Sequence, residues 1–87
     1  MTKDQEREAR SAHFNAYFNA HGSGAASKLA EKMGISPSWL SQMSSGLAAI
    51  SAVRAVEFET ATNGEINRKG MFPATWPKIW PELADVA

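Results

Sequence analysis

Eight residues between positions 27 and 45 could carry chemistry: Ser27, Lys28, Ser36, Ser38, Trp39, Ser41, Gln42 and Ser45. A carboxamide such as that of Gln42 donates and accepts side by side, the pattern that pairs bidentately with adenine. Serine hydroxyls donate or accept at several bases, so Ser38 and Ser41 are further candidate readers. Trp39 offers apolar area for a thymine methyl or a sugar, and could instead pack against the C-terminal tail. Ser27, Lys28, Ser36 and Ser45 are suited to phosphate oxygens, the first three beside helix starts where free N–H groups face an anion. On its own a serine-rich helix is merely a solvated face. What gives this one a role is the element that would hold it.

No other constellation assembles. His13 and His21 are eight positions apart, too far for the adjacent-turn spacing of a helical metal site, and no acidic cluster completes one. Surface or capping roles suit them better, with His21 near a helix C-terminus, where the dipole favours a cation. Glu57 and Glu59 point to different sides of one helix, so they form no catalytic pair. No histidine arrangement activates a serine, and no glycine-rich loop follows a strand. The chain is therefore expected to have no catalytic residues, no metal, no cofactor and no small-molecule substrate.

The positioning element is residues 26–45, ASKLAEKMGISPSWLSQMSS. With Gly34 as the ninth residue of a twenty-residue unit, Leu29, Met33, Ile35, Leu40 and Met43 fall at places four, eight, ten, fifteen and eighteen. Those are the places where two steeply crossed helices bury apolar side chains against each other and a third helix. Ala30, the fifth, must be small because the helices approach closest there. Gly34 ends the first helix, Ser36 caps the second, and Pro37 occupies its first turn, where a missing N–H does no harm. The pattern is that of a helix-turn-helix, whose second helix enters the major groove with its N-terminal half toward base edges.

The run SKLAEKMGISPSWLSQMSSG resembles the DNA-binding segment of phage repressors and Cro proteins. The longer run through ATNGEINRKGMFPATWPKIWPEL is similar to the Cro/YdaS-type group of small prophage regulators, with its Gly–x–Ile/Val–x–Arg segment and Pro- and aromatic-containing tail. The resemblance covers roughly residues 14 to 83. It implies an all-α, lambda-repressor-like helix-turn-helix domain of four to five helices with an extended C-terminal tail. It further implies a sequence-specific regulator that represses by occupying double-stranded operator DNA, with a phosphate contact at Ser45. Two positions depart from the pattern. Many relatives carry Gln at the first place, here Ala26, and a polar base reader at the twelfth, here Pro37. Base reading therefore leans on Ser38, Ser41 and Gln42, and without arginine in this helix an A·T-weighted half-site is expected.

Eighty-seven residues suffice for one domain with one modest core. Nine basic and nine acidic residues cancel, whereas many DNA-binding domains are clearly basic. Distribution offsets this in part: between Ser23 and Val56 stand Lys28, Lys32 and Arg54 against Glu31 alone. The acids gather at Asp4, Glu6 and Glu8, at Glu57 and Glu59, and at Glu82 and Asp85. Non-specific affinity should be weak and its salt dependence modest. The absence of cysteine fits a reducing compartment, and neither a membrane span nor a signal peptide is visible. The expected location is the cytoplasm of a bacterial or phage-infected cell.

Taken in order, residues 1–4 should fray and residues 5–20 form helix one, burying Phe14, Tyr17 and Phe18, with Ala9 or Arg10 extending the stripe. Ser23 is the expected cap of helix two, residues 24–33. Helix three spans 37–44, and Gly46 stops it. Helix four spans 52–62 behind Ser51, with Val53 and Val56 facing inward, joined by Phe58 or Ala55. Asn63-Gly64 turns the chain, Ile66 plugs the core edge, and Asn67 caps a single turn, 68–72. Residues 1–72 make the DNA-binding domain. Pro73 should end regular structure, leaving the tail 73–87, whose Trp76, Ile79, Trp80 and Leu83 pack back or form a homodimer surface. One recognition helix covers few base pairs, so a dimer on a near-palindromic operator is expected. Two alternatives stay open: an antitoxin-type autorepressor, and a protein-interaction module on the same scaffold.

Overall fold

The computed structural model describes residues 1–83; the expectations for residues 84–87, Asp85 among them, lie outside the described part. The order is α1 (Lys3–His21), α2 (Ala25–Met33), α3 (Pro37–Ser45), α4 (Ala52–Ala61), α5 (Arg68–Met71), α6 (Trp76–Ile79) and a closing 3-10 turn (Pro81–Leu83). The described residues hold no strand, so the chain is an all-α domain. No described helix is long and apolar enough to cross a membrane.

The helix-turn-helix follows from its caps. At the end of α2, Gly34 adopts φ 69°, the left-handed conformation a side chain would resist. Its N–H donates to the Glu31 carbonyl at 3.1 Å, and the Ile35 N–H reaches the Ala30 carbonyl at 3.0 Å. That pair of bonds satisfies the last carbonyls of α2 and turns the chain toward α3. Ser36 then caps α3, its Oγ accepting from the Trp39 N–H at 3.0 Å. Leu29, Ala30, Leu40 and Met43 are buried as their spacing requires, and Ile35 is half-buried over them.

Behind this unit, Phe14 of α1 and Phe58 of α4 meet edge to face, with centroids 5.0 Å apart, at the centre of the core. Ile66 and Met71 are fully buried beside them. Ile66 is more than an edge plug: its N–H donates to Thr62 Oγ1, which in turn donates to the Phe58 carbonyl at 2.7 Å. The buried segment after α4 thus keeps its backbone satisfied.

Four expectations need correction. Helix one begins at Lys3, because Thr2 and Gln5 form a reciprocal capping box, with bonds of 2.8 and 3.1 Å, that stops the fraying expected of residues 1–4. Ser23 is not the cap of α2; Gly24 takes that place without a side-chain bond. The inward face of α4 is Ala55, Phe58 and the following Thr62, whereas Val53 is 73% and Val56 41% exposed. At 3.6 residues per turn, Val53 and Val56 lie roughly 140° and 160° around the helix from Phe58. Once Phe58 meets Phe14, both valines must face out.

The fourth correction concerns the tail, which does not stay extended after Pro73. It winds into α6 and the closing turn, with Trp80 buried edge to face on Phe72 and Trp76 half-buried beneath the Lys69 ammonium. Pro77 is compatible with this because it stands in the first turn of α6, where its missing N–H breaks nothing. Glu6 anchors the tail. Its Oε2 accepts from the Ala74 N–H at 2.8 Å, the Thr75 N–H at 3.0 Å and the Thr75 hydroxyl at 3.1 Å. Beside it, Arg10 donates from Nε to the Met71 carbonyl at 2.7 Å and lies over the Phe72 ring.

Both histidines bear on the fold. His21 approaches both carboxylate oxygens of Glu65, at 2.9 and 3.0 Å, tying the end of α1 to the 63–66 turn. His13 packs so closely against Gly70 that a Cβ there would clash with the ring, and its Nε2 accepts from the Asn67 N–H at 3.1 Å. That bond requires a neutral ring, and burial holds the His13 pKa below its ordinary value. The folded protein therefore binds this proton more weakly than the unfolded chain. Stability should be unaffected by His13 above about pH 6.5. Below that it should fall, as the unfolded state protonates first, until the folded-state pKa is passed. Urea midpoints at pH 7.5 and 5.5 check this: the drop should shrink in His13→Gln, and an equal drop in both proteins would refute it.

Candidate nucleic-acid interface

On α3 the buried and exposed residues separate cleanly. Leu40 and Met43 are each 1% exposed, while Ser38, Trp39, Ser41 and Gln42 all lie on the outer side of the same nine-residue helix. The rigid core behind Leu40 and Met43 holds that outer face in place. Trp39 is 42% exposed and takes no part in the core, so it stands out from α3. Gln42 Nε2 donates to Ser38 Oγ one turn back at 3.4 Å, which joins the two candidate readers on one side of the helix. Gln42 Oε1 is the acceptor of that carboxamide, so the amide can still engage a base edge from both ends.

Around this face the phosphate candidates divide. Ser27 and Lys28 are exposed in the first turn of α2, and Lys28 has no carboxylate at ion-pair distance among the described residues. At α3 the N-terminus has less to offer than its position suggests. Pro37 has no N–H and the Trp39 N–H is taken by Ser36, which leaves the Ser38 N–H and the Ser36 hydroxyl proton. Ser45, the last residue of α3, donates its hydroxyl to the Gln42 carbonyl at 3.3 Å, and its oxygen remains exposed.

The local cations are not all available. Lys32 donates to the Ala61 carbonyl at 2.8 Å, satisfying the end of α4, and Arg54 sits 3.4 Å from Glu57. Farther away, Arg68 holds Glu59 through side chain and backbone, and its hydrogen bonds keep that carboxyl below the usual glutamate range. Glu59 is therefore a structural partner of α5, and it lies on a different side of α4 from Glu57.

One neighbour of this surface is not apparent from local sequence pattern. Arg7 of α1 lies across Gly46, the residue that ends α3 at φ 87°. A Cβ at Gly46 would stand 2.3 Å from Arg7 Cγ, so α1 presses directly on the exit of the candidate recognition helix. Lys3, Arg7 and the loop 46–49 line one groove there. The first ten residues look solvated because their partners are far away in sequence; the one local signal is that positions 3, 7 and 10 share a helix face.

No curated protein matches the chain. The family described as bacterial toxin YdaS matches residues 20–79, from the last turn of α1 through α6. That span includes the helix-turn-helix, the Gly64–Arg68 segment and the tryptophan-bearing turn, so the chain belongs to the bacterial toxin YdaS family.

Proposed function

We propose that this chain is a sequence-specific DNA-binding transcriptional regulator, a Cro-like prophage repressor that acts in the cytoplasm. It would repress by occupying operator DNA and excluding polymerase, without catalysis or a cofactor. The observation that supports this most is the outer face of α3. Ser38, Trp39, Ser41 and Gln42 project from a helix whose opposite side is locked into the core, the arrangement a major-groove reader needs. Ser27, Lys28, Ser36 and Ser45 flank that face as phosphate contacts. A dimer on a near-palindromic site supplies the affinity that one short helix lacks, and sedimentation with and without DNA checks it.

Binding-site selection tests the reading, repeated with Gln42→Ala and Ser38→Ala. Gln42→Ala should cost roughly 1–3 kcal/mol on the selected site and relax preference at one base pair. Loss of equal size on all sequences would remove Gln42 as a base reader. Guanine-dominated half-sites would overturn the A·T expectation. No retardation of any duplex at low salt would overturn DNA binding itself.

The family's description as a toxin favours a second reading, in which the chain acts on growth through a protein partner within a toxin–antitoxin pair. Val53 and Val56 on α4 leave apolar surface that such a partner could cover. Induced expression distinguishes the two: growth arrest that persists in Gln42→Ala supports this second reading, and arrest abolished by that change supports the first.

A further inference from the structure

The recognition helix has no cation, yet a DNA reader needs backbone contacts to set its register. The groove between the start of α1 and the exit of α3 can provide them. Its lining includes Lys3, Arg7, Arg10 and Glu6, with the loop 46–49 as its other wall. The charge of Glu6 is offset by Arg10, 3.9 Å from one carboxylate oxygen, while the other oxygen accepts from three donors of residues 74–75. Arg10 is in turn tied to the Met71 carbonyl. The charges left for a ligand are Lys3 and Arg7, whose contact with the exposed Asp4, at 3.9 Å, is a weak surface pair. Leu47 lies on the same groove and is 84% exposed, an apolar surface that suits the sugar of a nucleic-acid backbone.

We infer that this groove, with Lys3 and Arg7, holds the sugar–phosphate backbone of the DNA flanking the bases read by α3. The inference rests on the proposal that α3 reads DNA. The groove adjoins that helix without a gap: Gly46 follows Ser45 directly, and Arg7 lies on Gly46. The contact is blind to sequence. It would give a nearly neutral protein a hold on DNA outside the groove it reads.

Full-length protein is titrated with a duplex containing its selected site at 50 and 200 mM salt. Wild type is compared with Arg7→Gln, Lys3→Gln and the double variant. Glutamine keeps the Cγ and Cδ that lie on Gly46, and thermal melting confirms that each variant folds. Each lost phosphate contact should lower the salt slope by roughly 0.9, so wild type should lose roughly threefold more affinity per contact across that salt range, and roughly tenfold more than the double variant. The loss should be the same on selected and unrelated sequences. A duplex with neutral methylphosphonates in the flank should bind wild type and the double variant alike. Unchanged slopes in Arg7→Gln and Lys3→Gln, with Gln42→Ala still impaired, would overturn the groove and leave base reading standing. Failure of wild type to bind any duplex would overturn both.

Discussion

Phe58→Ala is expected to lower stability by about 3–5 kcal/mol, the usual range for a phenylalanine deleted from a closed core. Phe58 is fully buried and meets Phe14 edge to face, so truncation removes both its transfer energy and an aromatic pair. A domain of this length has about 4–13 kcal/mol in all, so the variant should lose a large share of its stability. Val53→Ser, five residues earlier on the same helix, should change stability by no more than about 0.5 kcal/mol, because Val53 is already 73% exposed. Urea unfolding followed by far-ultraviolet dichroism measures both. A large loss in Val53→Ser with a small one in Phe58→Ala would mean that α4 is rotated the other way.

Glu6→Ala should cost about 3 kcal/mol, a large effect for a residue in the first turn of a terminal helix. The substitution leaves the Ala74 and Thr75 N–H groups and the Thr75 hydroxyl without their acceptor, and removes the carboxylate beside Arg10. Hydrogen bonds to a charged group contribute roughly 1.5–3 kcal/mol, and the half-buried Thr75 donors left unpaired add part of a desolvation cost. Glu6→Gln keeps an acceptor without the charge and should lose about half as much. Tryptophan fluorescence adds a local readout, because Trp76 and Trp80 lie in the segment that Glu6 holds. If Glu6→Ala melts as wild type does, the tail is held by its tryptophans alone.

The helix-turn-helix was legible because everything that makes it lies within twenty residues: the glycine at position 34, the serine–proline start of α3, and apolar side chains at helical spacing. The face of α4 was not, because Val53/Val56 and Ala55/Phe58 are both plausible stripes by hydropathy, and only the contact with Phe14, more than forty residues earlier, decides between them. Glu6 was hidden for the same reason. Nothing near it in the chain marks it as buried, since its partners are Ala74 and Thr75. The tryptophan–proline pairs pointed to extended backbone by local preference; Trp80 before Pro81 does stay outside the helical region, at φ −129° and ψ 72°, whereas Trp76 before Pro77 opens α6. At the candidate interface, residue types suggested where base and phosphate contacts could lie. They could not show that Lys32 is bound to the end of α4, or that Arg7 reaches the exit of α3.

The Glu6 clasp has a consequence in time as well as in energy. It joins positions 68 and 69 residues apart, nearly the whole described chain, whereas the bonds that shape the helix-turn-helix close within a few residues. Closing so long a loop carries an entropy cost that the chain meets only once the helices between have docked. A contact made late contributes little to how fast the molecule folds and much to how slowly it comes apart. Glu6→Ala should therefore raise the rate of unfolding more than it lowers the rate of folding.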